Sequence, residues 1–152
     1  MPPVKRISLC AVLAILVVVV IAIILPGVAK APRYRQEMDA VKAIATIHTA
    51  EMQYLGEYGH YASNLIQLGP GQDNANLIDR DLAHGEKRGF KFVLRLAPAG
   101  YNLVVTPSQF GLSGRHTYYS DQDMGIYQHN GKEPATRNDP LLGDPVPHHL
   151  QT

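Results

Sequence analysis

Residues 40–69 read AVKAIATIHTAEMQYLGEYGHYASNLIQLG. Together with Met38 just upstream, Val41, Ile44, Ile47 and Tyr54 recur near the three-and-four spacing of one helix face. Ala45, His48, Leu55 and Tyr58 widen that stripe, while Lys42, Gln53 and Glu57 fall on or near the other side. Gly56 and Gly59, set among tyrosines, break the pattern. The spacing predicts an amphipathic helix that ends around residues 56–59 and lays its apolar side on something flat.

Upstream lies an apolar run, residues 7–25, ISLCAVLAILVVVVIAIIL. It carries no charge, and as a helix it spans roughly 28 Å, close to a bilayer core. In lipid the backbone must satisfy its own hydrogen bonds, so its valines and isoleucines are forced into helix despite modest propensity in water. The start is basic, with Lys5 and Arg6. Ala29-Lys30-Ala31 mimics a small-x-small cleavage site, but Pro32 would follow the cut and resists it. The sequence therefore reads as a retained anchor. Joined to the amphipathic segment it makes a rod of about 50 residues, roughly 75 Å long, loosened or bent at Pro26-Gly27 and Pro32. Counting Lys and Arg on both sides favours a cytoplasmic C-terminal domain.

Downstream the period changes. After a glycine-punctuated loop, residues 76–85 allow one short helix capped by Asn76, with Leu77, Ile78 and Leu82 as its apolar side. From Gly89, Phe90, Phe92, Leu94 and Leu96 alternate with Lys91, Val93, Arg95 and Ala97, which is strand spacing. Pro98-Ala99-Gly100 supplies a turn, and Tyr101, Leu103 and Val105 a second strand stopped by Pro107. Residues 116–120 and 125–129 give a third and fourth, with turns at Asp121-Gln122-Asp123 and Asn130-Gly131. The tail holds Pro134, Pro140, Pro145 and Pro147 and is expected to be loose. The sheet needs a cover, and the amphipathic helix is the sizeable candidate.

With 152 residues, 14 basic and 13 acidic side chains, the chain has room for one modest domain and no basic excess for nucleic acid. One cysteine, Cys10, lies inside the apolar run, which rules out an internal disulfide or a cysteine metal cluster. Seven histidines are scattered without metal-ligand spacing; His148-His149 is the one adjacent pair. Gly111-Leu112-Ser113-Gly114 misses the nucleophile-elbow pattern, and Gly69-Pro70-Gly71 precedes no lysine-serine pair. No catalysis, no cofactor and no small-molecule substrate are expected. Tyr54, Tyr58, Tyr61, Tyr118 and Tyr119 suit either a partner surface or the helix–sheet seam, and Tyr54 and Tyr58 are assigned to the seam.

The order of membrane helix, amphipathic helix, loop and antiparallel strands resembles type IV pilins and the pseudopilins of type II secretion systems. IAIILPGVAKA is similar to the end of the pilin membrane helix. AVKAIATIHTAEMQYLGEYGHYASNLIQLG resembles the family's A-x-x-x-I-x-T-x-x-T-A-x-x-x-Y helix followed by Y-G-x-Y-A and L-x-x-L-G. NLIDRDLAHGEKRGFKF and GYNLVVTPSQFGLSGRHTYYSDQDMGIY resemble the later parts of pilin-like proteins. The chain departs at the processing signal. Val4 stands where the family has glycine, Lys5 where it has an aromatic, and Leu9 where it has glutamate. The buried carboxylate that the family would pair with a neighbouring amino terminus is missing.

The resemblance implies an α+β, pilin-like fold: a long N-terminal helix, membrane-spanning then amphipathic, on a small antiparallel sheet of about four strands. Its expected divisions are a basic start (1–6), a transmembrane helix (7–25), the amphipathic half (26–61), a connecting loop with a short helix (62–88), the sheet (89–132) and the loose tail (133–152). Ile15, Val18, Ile21, Ile24 and Pro26 would pack against membrane lipid and other subunits, and Val41, Ile44, Ile47, Tyr54 and Tyr58 against the sheet. Relatives that hold calcium in a C-terminal loop make Asp121 and Asp123, with Ser120, candidate ligands, although the loop lacks the EF-hand glycine and closing glutamate and two aspartates in a hairpin usually form the turn. The implied partners are other pilin-like subunits and an inner-membrane assembly platform of a pilus or type II secretion system. The implied location is the bacterial inner membrane, single-pass, with the C-terminal domain periplasmic or extracellular, against the charge count. A membrane-tethered periplasmic binding module that never polymerises, and a secreted domain, are the alternatives.

Overall fold

A computed structural model describes the backbone of residues 9–143 and the side chains of residues 33–143. Helix α1, Leu9–Tyr58, is continuous in its helical assignment through Pro26, Gly27 and Pro32. It stops where Gly59 turns left-handed at φ +77°, with the Gly59 N–H donating back to the Leu55 carbonyl at 2.8 Å. Glycine suits that position because it lacks the Cβ that penalises positive φ. The expected transmembrane helix over 7–25, with Ile15, Val18, Ile21, Ile24 and Pro26, lies outside the residues whose side chains are described. Among the described residues no helix is long and apolar enough to cross a membrane.

Two short helices follow, α2 at Leu65–Leu68 and α3 at Arg80–Ala83. Asn64 caps α2 by accepting from the Gln67 N–H, and Asp79 caps α3 by accepting from the Leu82 N–H at 3.1 Å. The cap is thus not Asn76, which sits at φ +54° in the preceding turn. Asparagine tolerates that conformation, and the helix starts only when Asp79 can reach its N–H groups.

The sheet has five strands in sequence order: β1 (Glu86–Lys87), β2 (Phe90–Ala97), β3 (Gly100–Pro107), β4 (His116–Asp121) and β5 (Ile126–Asn130). Every pairing is antiparallel. The strand beyond the expected four is β1, two residues long and too short to show a period. It pairs back through Arg88 and Gly89, both at positive φ, as a two-residue hairpin turn requires. The architecture is α+β, one long helix against a five-stranded meander.

One face of the sheet presents Phe90, Phe92, Leu94, Tyr101, Leu103, Val105 and Tyr118. Helix α1 meets it with Ala40, Ala43, Ile44, Ile47, Ala50 and Tyr54, all buried. The three alanines leave room for the larger side chains opposite. Ala62, Leu65, Leu68, Ile78 and Leu82 close the end of the core.

The tail expectation needs correction for residues 133–143. Gln128 N–H donates to Pro140 O at 2.9 Å and Leu142 N–H to Ile126 O at 2.7 Å, so residues 140–142 run along the free edge of β5. Ala135 is buried, and the Thr117 hydroxyl donates to Glu133 O at 2.6 Å. Prolines suit this path because an edge segment needs only part of its N–H groups.

Candidate functional site

Where α1 crosses the sheet, a polar group is sealed into the seam. His48 Nε2 lies 2.7 Å from Ser120 Oγ, joining residues 72 apart in sequence. Ser120 Oγ in turn donates to Gly125 O at 2.7 Å. A hydroxyl has one proton, so His48 must donate to Ser120 and carry its hydrogen on Nε2. Burial pushes the His48 pKa down, against a smaller upward pull from the Asp121 charge, so the ring stays neutral. A histidine that donates to a serine cannot take that serine's proton, and Ser120 is fully buried. The pair therefore fastens helix to sheet and has no geometry for nucleophilic attack.

One turn along the helix, Glu51 is also fully buried. Its Oε2 accepts from the Ala62 N–H at 2.9 Å, tying the chain after α1 back onto the helix. Among the described residues its Oε1 has no hydrogen-bond partner. Desolvation pushes its pKa up to about 7, with the Ala62 bond pulling the other way. The Tyr101 hydroxyl is pushed well above its usual range, first by burial and then by the Glu51 charge.

The two calcium candidates come together, but around a side chain. Arg137 donates from Nη1 to Asp121 Oδ2 at 2.6 Å and from Nη2 to Asp123 Oδ2. Asp121 Oδ1 accepts from the Asp123 N–H at 3.1 Å. In this arrangement the guanidinium of the tail supplies the positive charge between the two carboxylates. Among the described residues no group of three or more His, Cys, Asp or Glu side chains is placed to hold a metal ion. His148-His149 falls outside the described residues.

Of the residues assigned to the seam, Ile44 and Ile47 are fully buried, Tyr54 nearly so and Val41 partly. Tyr58 is 46% exposed and stacks on Tyr54 with ring centroids 4.3 Å apart, so it shields the rim and does not fill the seam. Sequence reasoning missed Glu51, the bond between His48 and Ser120, and the clamp at Glu37. Glu37 Oε1 accepts from the Arg115 N–H at 2.7 Å and lies 3.0 Å from His116 Nδ1, holding the loop before β4 to α1.

The surface of α1 away from the sheet carries a second feature. Tyr34, Met38, Val41, Ala45, Thr49 and Met52 line one stripe at spacings of three and four, without a charge. Tyr34, Met38 and Met52 are exposed, and Val41 is half-buried at the margin of the core. Arg35, Lys42 and Gln53 lie beside it on the solvent side.

No family model, no curated protein and no solved structure matches this chain.

Proposed function

We propose that this chain is a non-catalytic, membrane-anchored structural subunit of a pilin-like or pseudopilin-like assembly. The observation that carries the reading is the length of α1. The helix runs for 50 residues, and among its described side chains those buried in the core lie between Ala40 and Tyr54. The same helix takes in most of the apolar run of residues 7–25, a bilayer's length of uncharged chain. An uncharged stripe then continues along the solvent side of the same helix, the kind of surface on which like helices pack. The buried polar groups add support. Two are spent on fastening, His48 to the sheet through Ser120 and Asp121 to the tail through Arg137.

Mass spectrometry of the natural amino terminus, with sheared surface fractions, tests this. A chain that keeps residues 7–25, sediments with membranes and occurs in sheared filaments or crosslinks to its own kind is the expected result. A water-soluble mature chain beginning at Pro32 or beyond would sink the reading.

The non-polymerising tethered module remains the second reading. Val4, Lys5 and Leu9 at the processing positions favour it. An intact start with no crosslinked oligomer in membranes would decide for it.

A further inference from the structure

The loop between β3 and β4 exposes two apolar side chains for which the fold has no use. Leu112 is 68% exposed and Phe110 39%. They do not belong to a slack segment. Gly111 N–H donates to Gly114 O at 2.7 Å, and the Leu112 and Ser113 N–H groups both donate to Gln109 O, at 3.1 and 2.9 Å. Gly114 packs so closely that an added Cβ would lie 2.5 Å from Phe90 Cζ. The loop is thus a fixed support that holds Phe110 and Leu112 outward.

Its surroundings are basic. Lys132 Nζ stands 5.8 Å from the centre of the Phe110 ring. Arg115 follows the loop, and its N–H is held by Glu37. Arg88 is in the neighbouring hairpin turn, because a Cβ on Gly89 would sit 2.9 Å from Ser113 Oγ and 3.7 Å from Gln36 Nε2. Arg35 is one residue away on the helix, and Arg35, Arg88, Arg115 and Lys132 are all exposed. Of the acids close by, Glu37 is already engaged by the Arg115 backbone N–H and by His116, while Glu86 and Glu133 are exposed beside the hairpin turn and Lys132. Phenylalanine and leucine ringed by arginine and lysine are the composition of a surface that enters the headgroup layer of an anionic bilayer.

The place along α1 fits. Gln36 and Glu37 touch this end of the domain, and Gln36 follows Leu25, the last residue of the apolar run, by about 16 Å of helix. The headgroup layer takes up roughly 6 Å of that distance. The remaining gap is about one Debye length, and the ordinary tilt of about 20° for a spanning helix narrows it on one side.

We propose that the Phe110–Leu112 loop and the cations beside it dock the domain onto the anionic lipid surface of the bilayer that holds α1. This rests on the membrane-anchored reading above. It adds that the domain leans on its own membrane through a defined face until assembly lifts it away.

The chain has no tryptophan, so a single introduced indole reports without background. Full-length Leu112→Trp protein is reconstituted into vesicles of phosphatidylcholine alone or mixed with phosphatidylglycerol, each containing brominated lipid. Flotation reports the anchor, and indole quenching reports docking. The expected result is flotation with both lipids, and loss of about half the emission only where phosphatidylglycerol is present. The same variant carrying Arg88→Gln and Arg115→Gln should float equally and lose that quenching. An Ile66→Trp protein, labelled on the exposed side of α2, should stay unquenched in both. Vesicles that float the protein yet leave the Leu112→Trp indole as bright as the Ile66→Trp one overturn the docking while sparing the anchor. A protein that does not float overturns the anchor and the docking with it.

Discussion

Glu51 is the residue whose chemistry is least at ease. Its folded pKa of about 7 lies above the ordinary 4.5. Below about pH 4.5 the carboxyl is neutral whether folded or not, and the fold has its full stability from this site. As pH rises toward 7 the unfolded chain releases the proton first, so stability falls, and above about pH 7 the loss is complete. At about 1.4 kcal/mol per pKa unit, the loss is about 3 kcal/mol. Glu51→Gln mimics the neutral form and keeps an acceptor for the Ala62 N–H. Urea unfolding at a series of pH values should show the variant more stable than the parent at pH 8, level with it at pH 4, and flatter between. A second test concerns the His48–Ser120 bond. Ser120→Ala leaves the Nε2–H of His48 unsatisfied in the core and should cost about 1–3 kcal/mol. The double variant His48→Leu with Ser120→Ala should recover part of that loss, because the His48 N–H is no longer left without an acceptor, while the Gly125 carbonyl lacks its donor in both variants.

At the scale of elements, the tail is the piece that sequence concealed. Its prolines read as slack, while what holds it is remote: Thr117, Asp121 and the β5 edge. Removing residues 133–152 would strip the cover from Thr117 and leave the Asp121 carboxylate buried without its cation. A loss of about 3 kcal/mol in the denaturant midpoint analysis is expected. By contrast the helix and strands were legible. Ile44 and Ile47 announce themselves by spacing, and Phe90, Phe92 and Leu94 by alternation, because a period is local information. Glu51 was not, since a carboxylate on a helix reads as a solvent-facing residue until its burial is seen. Ala40, Ala43 and Ala50 were passed over for a related reason: small side chains carry little hydropathic signal yet set how closely the helix lies on the sheet. Leu96 went the other way, continuing the strand period but ending exposed near the hairpin turn. The two-residue β1 and the Asp79 cap depend on turn geometry that no window of sequence displays. The polar seam depends on contacts more than seventy residues apart. Gly114 belongs to this scale too. Gly114→Ala would drive a Cβ into Phe90 and Glu37, and should cost about 1–3 kcal/mol by thermal or urea unfolding.

For the molecule as a whole, the uncharged stripe on α1 and the long helix beneath it lead to one prediction about association. Met38→Glu with Met52→Glu places charge on side chains that are already exposed, so the domain's own stability should change by about 0.5 kcal/mol or less per site. Crosslinking between copies in membranes should nevertheless fall sharply if this side meets a neighbour. Unfolding measured beside crosslinking separates a lost contact from a lost fold.

The sheet order is simply the order of synthesis. A chain threaded through a narrow exit could therefore zip each hairpin as it cleared, with α1 already waiting. Residues 133–143 would arrive after the five strands, and with them Arg137, the counter-ion of Asp121 at the end of β4. Completion of the domain is thereby coupled to the emergence of residues 133–143, and a chain clipped before them would leave the Asp121 charge uncompensated.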